Sequence, residues 1–129
     1  MRIFKTKEFA RFARRERIDD ARLCDAVERA GKGLIDADLG GGLIKQRIAR
    51  PRQGRSGGYR TLMAFRPRDR TVFVYGFAKS ERDNIDREEL GYWQAIARSF
   101  LQMDGATVAL MIDQQELRGV NRHGESQHP

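Results

Sequence analysis

Residues 59–79 read YRTLMAFRPRDRTVFVYGFAK, two apolar-rich runs separated by Pro67, Arg68 and Asp69. Proline presets a turn dihedral and aspartate bonds nearby backbone, so this spacing predicts an antiparallel hairpin of YRTLMAFR and TVFVYGFAK. The second run is apolar at odd and even positions alike, which places it in the interior of its sheet. Upstream, LIKQRIA (43–49) alternates: Ile44, Gln46 and Ile48 face one side, Lys45 and Arg47 the other. LIDADLGGG (34–42) supplies a short extended piece and a turn before it.

Helical patterns flank these strands. RIFKT (2–6) reads as a short first strand, and Thr6 caps a helix with Phe9, Phe12 and Ala13 on one face. DDARLCDAVERAGKG (19–33) reads as a second helix, started by Asp19 or Asp20, striped by Leu23, Val27 and Ala30, and ended by Gly31 and Gly33. In IDREELGYWQAIARSFL (85–101), Asp86 and Glu89 fit a capping box, and Leu90, Trp93, Ala97, Phe100 and Leu101 make the apolar stripe. DGATVALMIDQQ (104–115) fits either a short helix or a strand, and is read as a helix capped by Asp104. The expected class is α+β, a small antiparallel sheet with N-terminal helices and a C-terminal helix. At 129 residues and 40% hydrophobic content, one domain is expected over 1–120, with residues 121–129 (NRHGESQHP) a polar flexible tail.

Charge is concentrated. Between Leu43 and Arg82 there are eleven Lys or Arg residues and two acids, a net +9, whereas the whole chain is +7. Everything outside that window therefore sums to −2. Such a patch attracts phosphates, and nucleic acid is the commonest polyanion that uses one; the competing explanation is a solvated face on a basic protein. Within it lies GRSGGYR (54–60), where Gly57 and Gly58 allow backbone N–H groups close to a phosphate between Arg55 and Arg60. A tight turn between strands would need the same glycines.

The residue inventory restricts catalysis. The only histidines, His123 and His128, fall in the tail, which argues against a Ser-His-Asp triad or paired-histidine chemistry. One cysteine, Cys24, excludes an internal disulfide framework and a cysteine-based zinc site. The acids near the patch are too few and scattered for a divalent-metal site; Asp36 and Asp38 are the best candidates, and a polar strand face is the better explanation for both. No cofactor or metal is expected. Lysine, arginine and tyrosine remain, and these suit phosphodiester cleavage in RNA, where the ribose 2′-OH is itself the nucleophile. A hairpin turning at Pro67–Arg70 would bring Arg60 within one residue of facing Lys79, two cations with room for an anion between them. With no signal-like or membrane-length apolar block, the chain is expected to be cytoplasmic.

Together, LIKQRIARPRQGRSGGYRTLMAFR and DRTVFVYGFAKSERDNIDREEL resemble the RelE superfamily of bacterial type II toxins, in its HigB-like branch. The shared features are a K-x-R strand, a G-[KR]-S-G-G-Y-R loop and an F-A-K-S-E-R-x-N-I segment before an acidic helix start. The resemblance implies a small sheet flanked by helices, and a metal-independent endoribonuclease that cleaves mRNA in the ribosomal A site. It also implies a cognate antitoxin, with operator DNA bound only through the antitoxin complex. By motif position, Lys45, Arg47, Arg60 and Lys79 would carry cleavage. Arg50, Arg52, Arg55, Ser56, Gly57 and Gly58 would bind the RNA backbone. A non-catalytic nucleic-acid-binding regulator and a ParE-like toxin directed at gyrase stay open as alternatives.

Overall fold

The computed structural model describes residues 1–50, 58–82 and 84–121. Among them the chain runs β1 (Arg2–Thr6), α1 (Lys7–Glu16), α2 (Asp20–Gly31), β2 (Ala37–Gly40), β3 (Leu43–Ile48), β4 (Tyr59–Arg66), β5 (Arg70–Ala78), α3 (Arg87–Gln102), α4 (Gly105–Asp113) and β6 (Leu117–Gly119). The loop positions Arg52, Arg55, Ser56 and Gly57, and the tail beyond Asn121, lie outside the described residues.

The strands form one sheet in the order β2-β3-β4-β5-β1-β6. Its pairings are antiparallel except that of β1 with β5, which run parallel. The hairpin of residues 59–79 is its centre: β4 and β5 each have a neighbour on both sides, and seven of the eight β4 residues are buried. Both faces of the central strands are covered, which is why their sequences are apolar at both parities. On one face α1 and α2 bring Phe9, Phe12, Leu23, Ala26 and Val27 against Ile44, Ile48, Met63 and Phe73. On the other, α3 and α4 bring Ala97, Leu101 and Val108 against Leu43, Leu62, Ala64, Val72 and Val74. The result is an α+β protein with helices on either side of a mostly antiparallel sheet.

Helix starts follow the sequence closely. Thr6, Asp19, Asp86 and Asp104 each accept a hydrogen bond from the backbone N–H three residues on, as N-cap side chains do. The capping box at Asp86 is only half formed, because the Glu89 carboxylate turns to Arg82 instead of back to the cap. Two features depart from the expected layout. The first strand joins the sheet parallel to β5, a long-range pairing, and the three-residue β6 closes the far edge beside β1.

The hairpin register also differs. Arg60 faces Phe77 rather than Lys79. The turn is centred on Arg68, whose φ is 63°, so partners near it are Arg66 and Arg70. A bulge between Leu62 and Met63 then adds one residue, short of the offset that would bring Lys79 opposite Arg60. Lys79 lies just beyond the end of β5, where its N–H donates to the Gly58 carbonyl at 3.1 Å.

Candidate nucleic-acid interface

Alternation along β3 buries Ile44, Gln46 and Ile48 beneath α2 and turns Lys45 and Arg47 to the opposite face. Antiparallel pairing with β4 sets Arg47 directly across from Arg60. Like charges in that position repel. The offsetting charge is Asp36, just before β2. Its carboxylate stands 3.9 Å from Lys45 Nζ, 3.7 Å from an Arg47 Nη and 3.6 Å from Arg60 Nε. Three cations thus share one anion, a local excess of two positive charges.

These contacts are long. Charge-assisted N–H···O bonds measure about 2.7–2.9 Å, so Asp36 holds the cations by charge rather than by close hydrogen bonds. The Arg60 side chain is only 6% exposed, and its Nη1 makes a long bond, 3.4 Å, to the Tyr59 carbonyl. Arg47 is the open member, with 43% of its side chain exposed and its Nε buried without a hydrogen-bond partner. The Arg47 carbonyl is fixed by Arg29 of α2, whose Nη2 donates to it at 2.8 Å.

Gln46 sets the position of Asp36. It is buried; its Nε2 donates to the carbonyls of Ala26 and Leu34, and its Oε1 accepts the Asp36 N–H. A single amide side chain therefore ties α2, the following loop and the start of β2 to β3.

The remaining cations named from the sequence are placed differently. Lys79 takes no part in the Asp36 cluster and has no ion-pair partner among the described residues. Arg50 lies 3.7 Å from Glu16 and stacks over the Tyr59 ring at 5.3 Å. The Tyr59 hydroxyl donates to Glu16 at 3.0 Å. Burial, reinforced by that bond, pushes the hydroxyl above its ordinary range, so Tyr59 is a core aromatic and stays neutral. Gly58 packs too closely for a side chain: a Cβ there would lie 2.8 Å from the Ile48 carbonyl oxygen.

Sequence reasoning missed the role of Asp36. The signal was present in LIDADLGGG: carried through as a hairpin, its turn sets Ala37 opposite Lys45 and so brings Asp36 beside the basic strand. Glu16 was also missed, and it leaves no pattern in the sequence, because α1 meets Tyr59 only through tertiary packing. Among the described residues no group of three or more His, Cys, Asp or Glu is placed to hold a metal ion. No helix among them is long and apolar enough to cross a membrane.

The chain is thus a small basic protein with a helix-flanked sheet that gathers Lys45, Arg47 and Arg60 around one carboxylate. The family model described as RelE toxin of RelE / RelB toxin-antitoxin system matches residues 1–120, and the chain belongs to this family. Membership makes it the toxin of a toxin-antitoxin pair, with an antitoxin as partner; toxins of this family are generally ribosome-dependent mRNA endonucleases. No curated protein matches the chain.

Proposed function

We propose that this protein is a HigB-like, metal-independent endoribonuclease of the cytoplasm that cleaves mRNA in the ribosomal A site. The observation that carries the reading is the convergence of Lys45, Arg47 and Arg60 on one carboxylate that makes no close hydrogen bond to any of them. A phosphate entering beside Asp36 meets cations from two adjacent strands. The ribose 2′-hydroxyl gives up its proton as its oxygen bonds to the neighbouring phosphorus, the bond from phosphorus to the 5′-oxygen breaks, and that oxygen takes up a proton, leaving a 2′,3′-cyclic phosphate and a free 5′-hydroxyl. Negative charge grows on the phosphoryl oxygens as this happens, and fixed cations stabilise it without reorganisation. Arg47 and Lys45 reach the phosphate from β3, and Arg60 adds charge from beneath.

Lys79 completes the set as a flanking contact. Arg50, Gly58 and the loop residues Arg52, Arg55, Ser56 and Gly57 bind the RNA backbone. A cognate antitoxin covers part of this basic face, and operator DNA is bound only through that complex. The functional domain spans 1–120.

Primer extension on cellular mRNA after induction, with translation running or blocked, tests the proposal. Cuts that appear only during translation, and that persist in purified ribosomal complexes after brief chelation, support it. Cleavage restored only by manganese or zinc overturns the metal-independent chemistry. Growth arrest with intact mRNA and damaged DNA supports the gyrase-directed alternative, and binding without arrest supports a regulator.

A further inference from the structure

We infer that Asp36 is a positioning residue for this chemistry, the internal counter-charge that holds Lys45, Arg47 and Arg60 in register for the phosphate; this rests on the function proposed above. Arg47 and Arg60 are cross-strand partners, so without an anion their guanidinium groups move apart. Arg60 cannot relax into water, because its side chain is 6% exposed. Asp36 offsets the repulsion at 3.6–3.9 Å from all three cations, hydrogen-bonded to none of them. A carboxylate bonded tightly to one arginine would consume the donors that the phosphate needs. One placed at this distance orders the cations without itself taking up their donors.

The backbone of Asp36 is anchored independently of its charge, through its N–H to Gln46 Oε1 at 3.2 Å. Asp36→Asn therefore removes the charge and keeps the loop. The carboxylate also opposes an incoming phosphate, so its loss should strengthen RNA binding while weakening cleavage. A merely structural residue does not separate those two quantities in that direction.

The experiment uses the full chain with ribosome-bound mRNA. It measures single-turnover cleavage, affinity for the same message with a 2′-deoxy nucleotide at the cut site, and the thermal midpoint. For Asp36→Asn we expect cleavage slower by about ten- to a hundred-fold, as for loss of transition-state charge alignment. Affinity should be equal or tighter and the midpoint close to the parent's, with Asp36→Glu recovering part of the rate. Cleavage at the parental rate overturns the inference. So does a joint loss of rate, affinity and thermal midpoint without rescue by Asp36→Glu, which would make Asp36 structural only. A parent that cleaves nothing under these conditions overturns the proposed function, and the role of Asp36 with it.

Discussion

Phe12 of α1 rests on Gly76 of β5 so closely that a Cβ at position 76 would lie 2.4 Å from the ring. The contact falls where β1 has ended: the last β1–β5 pair is Lys5 with Phe73, and α1 crosses the sheet just beyond it. Phe12 in turn meets Tyr59 edge-on, with ring centroids 5.8 Å apart. Gly76→Ala should therefore displace α1 and cost about 1–3 kcal/mol, the usual range for overpacking a core. Urea unfolding of the variant checks this, and an unchanged midpoint would mean that α1 can shift without loss.

Gly58 makes a different prediction from the same geometry. The atom that a side chain would strike is the Ile48 carbonyl oxygen, part of the β3 backbone, which cannot swing aside. Gly58→Ala should lower stability by about 1–3 kcal/mol in protein free of RNA. If the variant instead melts normally and loses only RNA affinity, the glycine serves phosphate approach alone.

The hairpin of residues 59–79, the four helix caps and the alternation of β3 were legible because each is written in local spacing. The parallel insertion of β1 was not, since RIFKT carries no mark of which strand it will join. The site was legible in part. Lys45 and Arg47 follow from alternation, but the partner of Arg60 depended on a turn at Arg68 and a bulge near Leu62 that composition does not reveal. Those two details replaced Lys79 by Phe77 opposite Arg60, while the β3–β4 pairing brought in Arg47. The Arg60–Lys79 pair expected from spacing is not formed; Arg60 has Phe77 on one side and Arg47 on the other.

Arg82 and Glu89 give the clearest dependence on pH. Arg82 donates to both Glu89 carboxylate oxygens, at 2.6 and 3.1 Å, and also to the Tyr75 hydroxyl. That bonding holds Glu89 below the ordinary carboxylate range and Arg82 above its own. A lowered carboxyl contributes its full stability above the unfolded value of about 4.3 and loses it as pH falls through the folded value. Glu89→Gln should thus be less stable than the parent by about 0.5–1 kcal/mol at neutral pH, a figure discounted for solvent exposure. The gap should close as pH drops below about 4. Paired thermal melts across that range measure it, and a constant gap would assign the loss to packing.

Arg70 offers a test away from the site. Its Nη1 donates to the carbonyls of Phe100 and Met103, at 2.7 and 2.8 Å, closing the end of α3 from β5. Helix C-termini leave carbonyls unpaired, and a charged donor there is worth about 1.5–3 kcal/mol. Arg70→Met keeps the length and removes the donors. Hydrogen exchange should then accelerate through residues 97–103 while the β4–β5 core stays protected, and uniform acceleration would show that α3 and the sheet unfold together.

Arg47 and Arg60 face each other, yet they should respond oppositely to removal. Arg60 is buried, and adjacent cations at the sheet end suggest from sequence alone that replacing it would leave the fold intact or relieved. Its 6% exposure and its place beside Asp36 reverse that expectation. Arg60→Ala opens a cavity and takes away one of the three cations around Asp36, a loss of about 2–4 kcal/mol. Arg47→Ala takes away an open side chain and the repulsion on Arg60, so stability should stay within about 1 kcal/mol. Its cost falls on binding: the slope of log affinity against log salt should flatten by about one for the lost phosphate contact. Urea unfolding and salt-dependent RNA binding on the two variants separate these effects. Equal stability losses in both would remove the distinction between a buried support and an exposed contact.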